Sequence, residues 1–159
     1  PHPYYYASVH RNYTQADKHR LESILESLND LDHPVVFSLH PSTKKRMEEH
    51  GITVGKYDTI DFIAPVSYSS SVHFQKFALA VITDSGGMQK EAYWLKTPCI
   101  TLRPETEWTE TLENGWDQLY YEGSGLSERL KQEPGTHNLF LYGEGKASDT
   151  ISALLSQLL

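Results

Sequence analysis

Ser85-Gly86-Gly87 is the part of this chain best equipped for chemistry. It separates an apolar run, Leu79 to Thr83, from a helix-period segment, Met88 to Leu95. Two glycines at a strand-to-helix junction let the backbone come close to a bound group, and the free N–H groups of the first helical turn point outward. With the positive end of the helix dipole and the Ser85 hydroxyl as a further donor, such a junction makes a phosphate cradle. A helix cap and tight turn with no ligand would read the same way, so position alone leaves both readings open. Glu91 adds weight, because it lies four residues after Gly87 and projects to the same side of a helix. A carboxylate one turn beyond a phosphate cradle can accept two hydrogen bonds from a ribose diol. The plainer alternative is a solvated surface glutamate.

His10-Arg11 follows another apolar run, Tyr4 to Val9. An imidazolium and a guanidinium there would balance a diphosphate, and a histidine also moves protons near neutral pH. His40-Pro41 ends the next run, Val35 to Leu39, in a similar way, and Arg103 follows the run Pro98 to Leu102. Metal chemistry has no such support. The eight histidines are scattered without the i, i+4 or cysteine-paired spacings that zinc prefers. There is no G-x-S-x-G elbow and no Walker lysine. Cys99, inside a strand-like run after Pro98, reads as a buried side chain rather than a nucleophile.

These loops need elements to hold them. The apolar runs Tyr4–Val9, Val35–Leu39, Ile60–Ile63, Leu79–Thr83, Pro98–Leu102 and Trp116–Tyr121 read as six strands. Between them lie helical segments. Leu21, Ile24, Leu25 and Leu28 form one buried stripe, and Ser42 to His50 is a polar helix stopped by Gly51. Val72 to Phe77, Met88 to Leu95 and Thr106 to Asn114 also read as helical, the last ending at Gly115. Ile151, Leu154, Leu155 and Leu158 mark one face of a terminal helix, while residues 123–145 carry little signal. Short strands alternating with helices predict an α/β domain: a Rossmann-like, doubly wound parallel sheet with right-handed crossovers. In the common order 3-2-1-4-5-6, strands one and four are neighbours, and ligands bind between their carboxyl ends. That order brings the His10-Arg11 and Ser85-Gly86-Gly87 loops face to face.

At 159 residues, 38% hydrophobic and 22% charged, the chain has the size and composition of one globular domain, residues 1–159. No apolar run approaches the roughly 20 residues of a membrane span. The formal charge of −7 argues against nucleic acid, but a local cradle of N–H groups can still hold an anion. One cysteine excludes an internal disulfide and suits a reducing, cytoplasmic setting. A chain opening on Pro1 and running straight into a strand reads as a piece of something longer.

Thr83-Asp84-Ser85-Gly86-Gly87-Met88-Gln89-Lys90-Glu91-Ala92 resembles the T-D-S-G-G-x-Q-x-E-A signature of the non-hydrolysing UDP-N-acetylglucosamine 2-epimerases. His10-Arg11 and His40-Pro41 match that family's H-R and H-P. Pro98 through Arg103 with Thr106-Glu107 follows its P-x-x-x-x-R…T-E run, and Tyr142 to Ala147 resembles its Y-G-[DE]-G-x-A. The resemblance implies the C-terminal domain of a two-domain, glycosyltransferase-B-like enzyme that uses no cofactor and no metal. Such an enzyme eliminates UDP from C1 while removing the C2 proton, then re-adds UDP with C2 inverted. Carried over by motif, Ser85, Gly86 and Gly87 hold the diphosphate and Glu91 the ribose. His10 is the catalytic residue near phosphates and sugar, with Arg11 and His40 beside it. The stretch Pro65 to Ser71 aligns with the uracil-binding loop, where Val66 acts through its backbone and Ser71 replaces the aromatic ring that usually stacks on the base. Trp108 stands where some members carry a substrate-contacting arginine, and this T-E-W form resembles a subgroup that includes epimerases of UDP-diacetamido-uronic acids.

The catalytic carboxylates of the family lie in an N-terminal domain absent from this chain, so the expected partners are that domain and a UDP-sugar. Homodimerisation of the full-length enzyme is a further expectation. A UDP-sugar glycosyltransferase domain and a stand-alone nucleotide-sugar-binding module without catalysis are the alternatives.

Overall fold

The computed structural model describes residues 2–121 and 125–158, the side chain of Leu158 excepted. Residues 122–124, the last two of them in the poorly legible stretch, therefore lie outside the described residues, as do Pro1 and the Leu158 side chain of the terminal stripe. The six strands are β1 (Tyr5–Ser8), β2 (Val35–Ser38), β3 (Ile60–Ile63), β4 (Val81–Thr83), β5 (Cys99–Thr101) and β6 (Asp117–Leu119). They form one sheet in the order β3-β2-β1-β4-β5-β6, and every pairing is parallel. The expected doubly wound order is therefore the observed one.

Parallel sheets are covered on both faces, so their strands are apolar throughout rather than alternating. All three residues of β4 and of β5 are buried. The helices are α1 (Asn12–Gln15), α2 (Lys18–Asn29), α3 (Pro41–His50), α4 (Tyr68–Phe77), α5 (Gly86–Leu95), α6 (Leu126–Leu130) and α7 (Ala147–Leu158). In α2 the stripe Leu21, Ile24, Leu25 and Leu28 packs into the core, each fully buried leucine contributing about 1.5–3 kcal/mol. Asp17 caps this helix by accepting from the Arg20 N–H at 2.9 Å. Gly51, at φ 69°, ends α3 as expected.

Three elements differ from the sequence reading. Helix α1 falls in the loop after β1, where four residues carry too little periodicity to announce a helix. Thr106 to Asn114 is not an α-helix. The residues Thr109–Gly115 form 3-10 turns, broken by extended Glu113 (ψ 135°) and left-handed Asn114 (φ 59°). The Thr111 hydroxyl reaches the Trp108 carbonyl at 2.7 Å, a local bond that competes with helix propagation. The terminal helix α7 forms, but Ile151, Leu154 and Leu155 are each 56% exposed, so its apolar face is not part of the described core. Among the described residues no helix is long and apolar enough to cross a membrane.

The register sets up the crevice. Ser8 pairs with Thr83, so β1 and β4 end level and their following loops emerge side by side.

Candidate nucleotide-binding crevice

Asp84 joins the two loops. Its carboxylate, with no exposed side-chain surface, accepts the His10 N–H at 3.1 Å and the Arg11 N–H at 2.9 Å. His10 Nδ1 lies 3.3 Å from the same carboxylate, while the imidazole itself is 36% exposed. Below, the Thr83 hydroxyl donates to the Ser8 carbonyl at 2.8 Å and accepts the Ser85 N–H at 3.1 Å. The sequence reading named His10 and Arg11 but gave Asp84 no role. Its position beside two predicted loops was the available signal.

Helix α5 starts at Gly86 with Ser85 as its N-cap, and the Ser85 hydroxyl accepts the Met88 N–H at 3.5 Å. The start of α5, whose first N–H groups lack partners within the helix, thus stands beside the β1 loop. Neither Gly86 nor Gly87 has a positive φ, so conformational freedom is not what requires glycine here. Space distinguishes them. A Cβ on Gly86 would collide with the Glu107 carboxylate and come within 3.2 Å of Trp108 Nε1, whereas one on Gly87 would meet only Ser85 Oγ at 3.8 Å. A carboxylate therefore already lies against Gly86. Glu107 Oε2 accepts from Arg103 Nη1 at 2.7 Å, and its Oε1 lies 3.8 Å from Arg11 Nη2. Its own backbone N–H and the Arg103 guanidinium hold this carboxyl below the usual range. Arg11 and Arg103 also line a shallow cleft with Tyr13, Pro104 and Glu105.

Glu91, one turn along α5, is partly buried and receives Gln75 Nε2 at 2.7 Å. Gln75 is fully buried on α4, and its amide also lies 3.5 Å from Ser71 Oγ, which accepts from the Tyr6 hydroxyl at 3.3 Å. One polar chain thus ties Ser71 to Glu91 across α4 and α5. Val66 lies just before Ser67, the N-cap of α4, whose side chain accepts the Ser70 N–H at 3.2 Å. His40 caps α3: its Nδ1 accepts the Ser42 N–H at 3.2 Å, and its ring lies 5.5 Å from that of His10. His40 therefore already has a structural task, though its ring still borders the crevice.

The fold brings His10, Arg11, Ser85, Gly86 and Gly87 together at the switch point, with Glu91 one turn further along α5 and His40 at the rim. Gln75, which carries no motif of its own, is missed by sequence reasoning, and Glu107 appears there only as part of the T-E run, with no role. Cys99 is buried, and burial, ahead of the nearby Asp117, pushes its thiol well up. That keeps it protonated, in line with a structural role. Among the described residues no cluster of His, Cys, Asp or Glu could hold a metal ion.

A family model described as UDP-N-acetylglucosamine 2-epimerase matches residues 1–156. A UDP-N-acetylglucosamine 2-epimerase homolog of Methanococcus maripaludis is 37% identical over 98% of this chain and 45% of its own length. The UDP-2,3-diacetamido-2,3-dideoxy-D-glucuronate 2-epimerase of Pseudomonas aeruginosa is 34% identical over 96% of this chain and 44% of its own. A crystal structure of the Methanocaldococcus jannaschii UDP-GlcNAc 2-epimerase in complex with UDP-GlcNAc and UDP superposes with a TM-score of 0.83 at 32% identity. It is covered over 45% of its length by 98% of this chain. The chain thus spans less than half the length of the relatives it matches. On motif, fold and similarity together, the chain belongs to the UDP-N-acetylglucosamine 2-epimerase family.

Proposed function

We propose that this chain is the UDP-gripping half of a UDP-sugar 2-epimerase. The whole enzyme would interconvert UDP-GlcNAc and UDP-ManNAc, or act on a related UDP-HexNAc or uronic acid, by elimination and re-addition of UDP. The observation that carries this is the crevice itself: the β1 loop, tied to β4 by Asp84, stands beside the N-terminus of α5, with Glu91 one turn further on. Donors for a diphosphate and an acceptor for a ribose diol lie in the order in which UDP presents those groups.

On this reading Ser85, Gly86 and Gly87 hold the diphosphate, Glu91 the ribose, and Val66 and Ser71 border the base. As C1–O cleavage proceeds, negative charge builds on the departing phosphate, and fixed N–H donors with Arg11 nearby stabilise it without reorganising. His10 is directed by Asp84. When Nδ1–H faces that carboxylate, Nε2 is left for the substrate, and the protonated ring can donate to a phosphate oxygen. His40 stands beside it. The base for the C2 proton, and the other wall of the crevice, belong to an N-terminal domain outside this chain. The exposed stripe Ile151, Leu154 and Leu155 on α7 is an apolar face that such a domain can cover. The full-length enzyme would act as a homodimer in cytoplasmic polysaccharide biosynthesis, a setting that suits the free, buried thiol of Cys99.

Calorimetry tests the placement. The chain should bind UDP. Glu91→Gln should weaken UDP by about 1–3 kcal/mol, the range for a charge-assisted hydrogen bond, and weaken 2′,3′-dideoxy-UDP far less. Failure of the parent chain to bind UDP, or equal losses for both ligands, would overturn the assignment.

A further inference from the structure

Trp108 is partly buried, and one of its buried atoms lacks a partner. Lys90 Nζ lies 4.3 Å from its ring centroid, and Tyr142 meets the ring edge-on at 6.1 Å. Its backbone N–H donates to Thr106 Oγ1 at 3.1 Å, and that hydroxyl donates to Oε1 of the buried Gln89 at 2.5 Å. Its carbonyl receives the Thr111 N–H at 3.0 Å and the Thr111 hydroxyl at 2.7 Å. The threonines hold the backbone of Trp108, and Lys90 and Tyr142 pack against its ring. Yet Nε1, which is buried, has no acceptor, and it lies 3.2 Å from where a Cβ on Gly86 would sit.

A buried N–H without a partner is rare and costly, and an indole N–H can only donate. The groups around this one define what it would donate to. The Glu107 carboxylate occupies the space against Gly86, but its oxygens are directed to Arg103 and Arg11, and no hydrogen bond joins it to Nε1. The Glu107 side chain is 43% exposed, so it can swing outward once Arg103 and Arg11 exchange their pairing with it for one with another anion. The first residue of α5, two guanidiniums and the indole N–H then surround the space beside Gly86, and their polar hydrogens are all donors. An anionic, acceptor-only group satisfies them together.

We propose that Trp108 Nε1–H donates to a phosphate oxygen of the bound nucleotide diphosphate, which takes the space that the Glu107 carboxylate holds in its absence. The inference rests on the reading of the α5 N-terminus as the diphosphate site and adds a residue that makes the site selective for the diphosphate over the bare nucleoside.

Trp108→Phe removes the N–H while keeping an aromatic ring for Lys90 and Tyr142. The variant should fold, with a midpoint lowered only by the smaller ring, because the donor it loses has no partner. Calorimetry of the chain should show UDP affinity reduced about tenfold, the scale of one hydrogen bond to a charged group, and uridine affinity unchanged. In ¹H–¹⁵N spectra, UDP but not uridine should move the Trp108 indole resonance downfield, with Trp94 and Trp116 as internal references. Glu107→Gln should bind UDP more tightly than the parent. If Gly86→Ala weakens UDP while Trp108→Phe and the indole resonance do not respond, the Trp108 role is wrong and the site stands. If Trp108→Phe weakens uridine and UDP equally, the N–H is not a phosphate donor. No UDP binding by the parent chain would overturn the site and this inference with it.

Discussion

Asp84 shows how one side chain can order a whole crevice. A fully buried carboxylate is costly unless it is hydrogen-bonded, and this one collects the backbone N–H groups of His10 and Arg11 and faces His10 Nδ1. Its two oxygens have separate duties: Oδ2 takes the Arg11 N–H at 2.9 Å, and Oδ1 faces the imidazole at 3.3 Å. Asp84→Asn can keep the first contact only by turning its NH₂ toward His10. Nδ1 must then accept instead of donate, and the neutral ring changes tautomer. We expect ¹⁵N shifts to place the His10 proton on Nδ1 in the parent chain and on Nε2 in the variant. The variant should also lose about 1–3 kcal/mol of stability through mismatched buried donors. An unchanged tautomer would show that Asp84 ties the loops together without directing the imidazole.

The 3-10 segment Thr109–Gly115, which follows Glu107 and Trp108, is held from below by another buried carboxylate. Asp117 on β6 receives the Thr101 hydroxyl of β5 at 2.8 Å, and the Thr111 hydroxyl of the 3-10 segment lies 3.2 Å away. Burial raises its pKa from the usual 3.8, and the hydroxyls only partly oppose that. The folded chain therefore keeps this proton to higher pH than the unfolded chain does. The stability contributed by the protonated group is full below pH 3.8 and is lost as pH rises through the raised value. Asp117→Asn removes the titration but keeps an acceptor. Denaturant midpoints of parent and variant should diverge above pH 3.8, the parent falling by at most about 1.4 kcal/mol per pH unit while the group titrates. Parallel curves across that window would mean that Asp117 does not couple folding to pH.

At the scale of the molecule, the proposed epimerase reading makes this crevice one wall of a two-domain site. Inversion at C2 needs a base within hydrogen-bond reach of the sugar on each face, and this wall offers His10, His40 and Glu91, the last paired with Gln75 at 2.7 Å. An open cleft would also leave a glycal intermediate exposed to water. Incubated with UDP-N-acetylglucosamine in deuterium oxide, the chain should incorporate no deuterium at C2, whereas the full-length protein should. Exchange at an enzyme-like rate by the chain alone would show that this half carries its own base.

Much of this architecture follows from local rules that act along the chain. Val81–Thr83 and Cys99–Thr101 are apolar enough only for the middle of a covered parallel sheet, and the stripe Leu21, Ile24, Leu25 and Leu28 permits only a helix with one buried face. Once strands alternate with helices, right-handed crossovers and the doubly wound order bring the His10 and Ser85 loops together, so the crevice was legible before any coordinates. The helix expected over Thr106 to Asn114 does not form, because the bond from Thr111 to the Trp108 carbonyl and the left-handed Asn114 interrupt it. The pairings that give the site its chemistry were out of reach for a different reason. Asp84 meets His10 across 74 residues, Gln75 meets Glu91 between two helices, and Glu107 settles against Gly86. Sequence by itself determined the elements, their order and the loops that line the crevice, because those depend on periodicity and turn chemistry within short windows. Tertiary structure alone decided which carboxylate faces the imidazole and which indole N–H is left without an acceptor, because such contacts exist only after distant segments have packed.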